Sequence, residues 1–259
     1  GKELVENCIL LEKFNIPVLI YDNTPIASIN KNIFINTIIN LKNVTLVRSG
    51  ENIGLALALQ FLNELANEKD FKYLLYLDQD TILKQNIAFL IKLIKKAIKS
   101  FSPEVAIQYF LPIKIKKSNN LSVGPNSGSF FNIKVILNYE LIPKEYFVEM
   151  IDFKIFYEIR RHGLKTLLID MRDYLDHSNL ESLTKIKLIG KTLRLRIYNL
   201  KRISEIYLRG IRLIYLCIKS KDFLLSMEIT KYLIKLAIYQ ILARISLLFS
   251  NLLKPILIY

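Results

Sequence analysis

"YLLYLDQDTIL" (73–83) sets an apolar run directly against two aspartates, Asp78 and Asp80, with only Gln79 between them. Tyr and Leu in unbroken succession, closed by a polar turn, read as a buried strand. Two carboxylates at its end repel each other. Either water screens them in an ordinary turn, or something of opposite charge belongs there.

The neighbouring segments give that pair a setting. "ELVENCILLEKF" (3–14) carries apolar residues at helical spacing, "IPVLIYDN" (16–23) reads as a buried strand running into a turn, and "NVTLVR" (43–48) as a second strand. "ENIGLALALQFLNELANE" (51–68) opens as a turn and continues as a helix. On the other side, "QNIAFLIKLIKKAIKSF" (85–101) is a strongly amphipathic helix, and "VAIQYFLPIKIKK" (105–117) a strand bent at Pro112. Short strands alternating with helices predict an open, largely parallel α/β sheet, whose ligands bind beyond the carboxyl ends of the strands. Asp22-Asn23, Glu51-Asn52 and Asp78-Gln79-Asp80 all follow predicted strands, so three polar clusters would share that edge.

Beyond residue 118 the pattern changes. "NNLSVGPNSGSFFNIKVI" (119–136) is a small-residue turn leading into an apolar run. "EYFVEMIDFKIFYEIRRHG" (145–163) reads as a helix stopped by Gly163, with Phe147, Val148, Ile151, Ile155 and Ile159 along one face. "LKTLLID" (164–170) is a further strand, and "YLDHSNL" (174–180) contains His177.

Composition bounds the classes. Of 259 residues, 52% are hydrophobic and 23% charged, which excludes extensive disorder. The net charge of +14 is unevenly placed: residues 1–182 hold 22 Lys and Arg against 20 Asp and Glu, whereas residues 183–259 hold 15 against 3. A nearly neutral α/β domain over 1–182 is therefore expected, followed by a basic, amphipathic, all-helical region over 183–259. No run there reaches the roughly 18 uncharged residues of a spanning helix. Helices lying on an anionic membrane surface are the favoured expectation; helices covering the first domain or a second copy are the plain alternative. Nucleic acid is disfavoured, because the basic residues sit among too many aliphatics and no binding module is recognisable. Cys8 and Cys217 are too few and too distant for a disulfide framework or zinc site, which suits a reducing cytoplasm, and no signal peptide opens the chain.

The Asp78/Asp80 pair suits one task well. Hard carboxylate oxygens bind Mg²⁺ or Mn²⁺, the cation removes their repulsion, and it can bridge a diphosphate. A solvated turn remains the ordinary reading of so short a motif.

Taken in order, "DN", "ENIGLALAL", "YLLYLDQDTIL", "NSGSFF", "YFVEMIDFKIFYEIRRHG" and "LDHSNL" resemble glycosyltransferase family 2, and within it the rhamnosyltransferase-like branch, over residues 16–180. The resemblance implies a GT-A fold: a Rossmann-like, mainly parallel sheet flanked by helices. It also implies a nucleotide-sugar donor, with dTDP-rhamnose favoured and UDP-sugars possible, and inverting transfer to a hydroxyl of a cell-surface glycan or lipid-linked acceptor at the inner face of the membrane. A homo-oligomer is compatible with it. By the same resemblance Asp22 and Asn23 approach the nucleotide, Asn52 and Gly54 form the "N-x-G" turn beside the donor, and Asp78 faces the nucleotide while sharing the metal. Asp80 is the direct ligand of a divalent cation, Mn or Mg, and His177 completes that site. Ser127, Gly128 and Ser129 line the donor-sugar pocket, and Asp152 is the catalytic base. Arg160 and Arg161 are read as solvating a helix end.

Three departures stand out. The family's first strand, with its "TYN"-like nucleotide contact, does not precede Gly1. Lys154 stands where a second acid is usual, and would pair with a phosphate or lower the pKa of Asp152. Glu149 and Met150 replace an Asp and an aromatic before the base. They leave a second expectation open: a degenerate GT-A domain that binds or scaffolds without catalysis.

Overall fold

A computed structural model describes residues 2–27, 33–83, 87–99, 102, 104–111, 127–170, 175–177, 184–188, 191–195 and 197–253. The chain divides into two compact units, residues 1–178 and 179–259.

In the first unit, helix α1 (Lys2–Glu12) leads into strand β1 (Val18–Asp22), which pairs in parallel with β2 (Val44–Arg48) after the short helix α2 (Ile33–Ile38). Helix α3 (Leu55–Glu68) then buries Ala56, Leu59, Leu62 and Ala66 along one stripe, and Phe61 meets Tyr21 of β1 edge-on with ring centroids 5.4 Å apart. Its counterpart across the next strands is the amphipathic α4 (Ile87–Lys99).

A four-stranded sheet orders β3 (Tyr73–Tyr76), β6 (Ser129–Asn132), β5 (Val105–Leu111) and β7 (Lys165–Asp170), with β6 antiparallel to both neighbours and β5 parallel to β7. The expected mainly parallel sheet is thus a mixed one. The difference comes from "SFFN", whose apolar run marks a strand but whose four residues encode no direction. A separate antiparallel pair joins β4 (Thr81–Leu83) to β8 (Leu175–His177). Residues 112–117 of the expected bent strand lie outside the described residues, as do 119–126 of the small-residue turn.

Helix α5 (Ile133–Asn138) follows β6, and α6 (Ile151–Arg161) follows a run of turns. The expected helix over 145–163 therefore starts later. Met150 adopts a left-handed conformation, φ 65°, immediately before it, which a continuing helix does not allow. Phe147 and Val148 consequently leave the helical face, while Ile151, Ile155 and Ile159 remain buried on it.

The second unit holds a β-hairpin that the sequence reading did not anticipate. β9 (Thr184–Leu188) and β10 (Lys191–Leu195) pair antiparallel, with Leu188 opposite Lys191. The signal was present in part: "KIKL" and "TLRL" alternate polar and apolar residues, and the two strands are two residues apart in sequence. The surplus of Lys and Arg masked the period of two. Helix α7 (Leu200–Lys219) follows, its first turn capped by Asn199 Oδ1, which accepts from the Arg202 amide at 2.8 Å. Helix α8 (Phe223–Leu253) returns against it. The two approach closely at Gly210, where a Cβ would stand 2.9 Å from the Leu233 side chain, and the Tyr207 hydroxyl donates to the Leu233 carbonyl at 2.8 Å. Arg244 donates to the Tyr198 carbonyl at 2.8 Å, tying α8 to the segment that enters α7.

Candidate functional site

β3 ends one residue before Leu77, and the chain turns through Asp78, Gln79 and Asp80 into β4. Several buried polar groups hold that turn. Ser127 Oγ accepts from the Asp78 amide at 3.0 Å and bonds the Thr81 hydroxyl at 2.7 Å, so one serine clasps both ends of the loop. Asn7, buried on α1, donates to the Thr81 carbonyl at 2.6 Å and accepts from the Leu83 amide at 3.0 Å. Gly128 donates its amide to the Tyr76 carbonyl at 2.8 Å. Ser127 and Ser129 are both buried, so these hydroxyls belong to the wall of the site and not to its open face.

Tyr76 stands two residues before Asp78, on the same side of the extended chain. Its hydroxyl donates to Asp78 Oδ1 at 2.9 Å. Burial first, then the charge of Asp78 and that hydrogen bond, then the charges of Asp152 and Asp80, push the Tyr76 hydroxyl well above its ordinary value of 10.0. Two carboxylates of the adjoining turn and one from a distant helix thus act on one phenol.

Asp152 occupies the first turn of α6, where the helix dipole favours a carboxylate. The ammonium of Lys154, two residues on, has partners of its own on α6. It is buried in an ion pair with Glu158 and lies 4.9 Å from the centre of the Tyr157 ring. A spacing of four along a helix brings those two together, which the sequence position alone did not disclose. Arg161 reaches the same Glu158 at 2.8 Å, and Arg160 lies over Phe156 at 5.8 Å.

A second group surrounds the end of β1. Asp22 is buried, accepts from Arg48 Nε at 2.8 Å through one oxygen and from the Thr24 amide at 3.0 Å through the other. Asn23 brackets the next turn, donating to the Gly54 carbonyl and accepting from the Ile53 amide, each at 3.2 Å. Asn52 folds back to accept from the Gly54 amide at 3.0 Å. Phe147 connects this group to the Asp152 segment: its carbonyl accepts from the Leu55 amide at 2.6 Å, and its ring packs where a Cβ on Gly54 would stand, 2.6 Å away. Neither Tyr76 nor Phe147 was among the sequence candidates. The first had a signal in its two-residue offset from Asp78; the second had none.

Chemically, the hard carboxylate oxygens of Asp78 and Asp80 are of the kind a divalent cation prefers. Among the described residues no three His, Cys, Asp or Glu side chains gather closely enough to hold a metal alone. Two aspartates completed by a diphosphate and water remain a sufficient Mg²⁺ set. The β8 register sets His177 opposite Thr81, the residue after Asp80.

No family profile and no curated protein matches the chain. A crystal structure of S. aureus TarS 1–349 is similar with a TM-score of 0.47 at 10% identity, over 67% of this chain and 56% of that one. A further S. aureus TarS structure gives 0.45 at 11% identity, over 70% and 35%. The chain spans little more than half of the first and about a third of the second, and neither likeness decides the fold or the activity.

Proposed function

We propose that the first unit is an inverting, metal-dependent glycosyltransferase. It takes a nucleotide-diphosphate sugar, rhamnose-like and headed by dTDP-rhamnose, and delivers it to a hydroxyl of a cell-surface glycan or lipid-linked acceptor at the inner face of the membrane. The observation that carries the reading is the Asp78–Asp80 turn at the end of β3, clasped by Ser127 and with Asp78 held by the Tyr76 hydroxyl at 2.9 Å, in residues whose order already resembles glycosyltransferase family 2.

Asp78 and Asp80, with His177, would hold Mn²⁺ or Mg²⁺, which supplies charge neutralisation for the departing nucleoside diphosphate. Tyr76 donates to Asp78 Oδ1 and so orients that carboxylate. Asp152 takes the proton from the acceptor hydroxyl as that oxygen attacks the anomeric carbon and the bond to the diphosphate breaks. Attack from the face opposite the leaving group inverts the configuration. Asp22, held by Arg48, shapes the Asn23 turn beside the nucleotide, and the Asn52–Gly54 turn closes on it. Ser127, Gly128 and Ser129 form a small-residue wall that leaves room for the donor sugar.

Release of nucleoside diphosphate from a panel of nucleotide sugars, with Mn²⁺, Mg²⁺ or chelator, tests the reading. Metal-dependent release that falls by ~10²–10⁴ in Asp152→Asn, at unchanged donor affinity, is expected. Donor binding without release under any metal would leave a binding or scaffold role, and absence of binding would sink both.

A further inference from the structure

Among the described residues no helix is long and apolar enough to cross a membrane. The two long helices of the second unit nevertheless carry apolar residues on two sides each. On α8, Leu225, Ile229, Leu233, Leu236 and Ala243 are buried. On the other side Met227, Ile234, Ile238, Ile241 and Ile245 form a row that is 45–57% exposed, about 27 Å long at the helical rise per residue. On α7, Ile206, Leu213 and Cys217 are buried, while Leu208, Ile211, Tyr215 and Ile218 form an exposed row. Single exposed aliphatics are ordinary. Two rows at helical spacing on adjacent helices, the α8 row broken only at Lys231, are not, because each leaves apolar surface in water.

Charge decides what covers them. Lys201, Arg212 and Lys219 are exposed and run at helical spacing beside the α7 row; Lys231 interrupts the α8 row and Lys235 flanks it. Over residues 183–259 there are 15 Lys and Arg against 3 Asp and Glu. A second copy seated on these rows would bring like charge against like charge. An anionic bilayer turns the same cations into attraction, and long lysine stems let the charge reach the headgroups while the aliphatics enter the acyl boundary.

We propose that the exposed rows of α7 and α8 are a docking face for an anionic lipid surface, on which the helices lie in the plane of the membrane. The assignment stands on the second unit alone and is independent of the glycosyl-transfer reading.

The chain contains no Trp, so Ile238→Trp introduces the only indole. With the full chain, its emission is expected to shift to the blue on vesicles of phosphatidylcholine mixed with phosphatidylglycerol, and not on phosphatidylcholine alone. High salt should reverse the shift, and Lys231→Gln and Lys235→Gln should each weaken binding roughly fivefold. Flotation of the unaltered chain with the same vesicles answers the question without any substitution. Ile234→Ser with Ile241→Ser, at unchanged circular dichroism, should abolish flotation. No flotation on anionic vesicles, or equal binding to neutral ones, overturns the proposal. So does a blue shift that needs no lipid and grows with protein concentration, which would assign the face to a second copy.

Discussion

Tyr76 holds its proton harder than an ordinary phenol, first because it is buried and then because Asp78, Asp152 and Asp80 oppose a charge on it. A hydroxyl raised in the folded state stabilises the fold fully below the unfolded value of about 10 and loses that contribution only as the pH climbs beyond it. It therefore remains a donor to Asp78 throughout any practical assay. Tyr76→Phe should leave Asp78 without that donor, weakening metal-supported nucleotide binding by about 1.5–3 kcal/mol, the range of hydrogen bonds to charged groups; titration calorimetry with nucleoside diphosphate and Mn²⁺ checks it, and unchanged affinity would remove Tyr76 from the site. Cys8 follows the same sign. Burial pushes its thiol from 9.0 to about 11, so its contribution is complete below pH 9 and fades as the pH rises toward 11. A thiol reagent at pH 8 should leave Cys8 untouched in the native protein and modify it in urea; rapid native labelling contradicts the burial. The aspartates were legible in the sequence because charge at a strand end is conspicuous. Tyr76 was not, because a tyrosine inside an apolar strand looks like core until its hydroxyl has a neighbour.

At the scale of elements, the α3 entry and the α6 entry are one piece of architecture. Gly54 sits at φ 85°, ψ 172°, a region almost confined to glycine, and its missing side chain is the space that Phe147 occupies. Gly54→Ala should cost ~3 kcal/mol in stability and lower turnover as well, since Phe147 leads through left-handed Met150 into Asp152. Thermal melting and kcat measured together check this; a lowered Tm at unaltered kcat would uncouple the turn from the base. Existence of most elements was readable from periodicity. Where α6 begins was not, because that depends on the backbone at Met150 and on a carbonyl of Phe147 recruited by another helix. The β9–β10 hairpin shows the opposite failure: its alternation was local and readable, but regional charge outweighed it.

For the whole chain, charge and chemistry divide along the sequence. The carboxylates of the candidate site lie in the nearly neutral first unit, and the excess of Lys and Arg lies in the second. The two proposed partners, an anionic donor and an anionic surface, are thereby assigned to different units. That partition was visible from residue counts alone. The mixed direction of the four-stranded sheet was not, because strand direction depends on how connections route in space, whereas apolar runs report only burial.

β1 has a ladder partner on one side only among the described residues. The Val18 amide points toward β2, donating to the Asn43 carbonyl at 2.8 Å, and amides alternate sides along a strand. Leu19 and Tyr21 therefore aim theirs at the open edge, Ile20 and Asp22 at β2. In deuterated water the five residues should keep two clocks, neighbours differing although their backbone is equally extended. Uniformly slow exchange would mean that something unseen already lies along that edge.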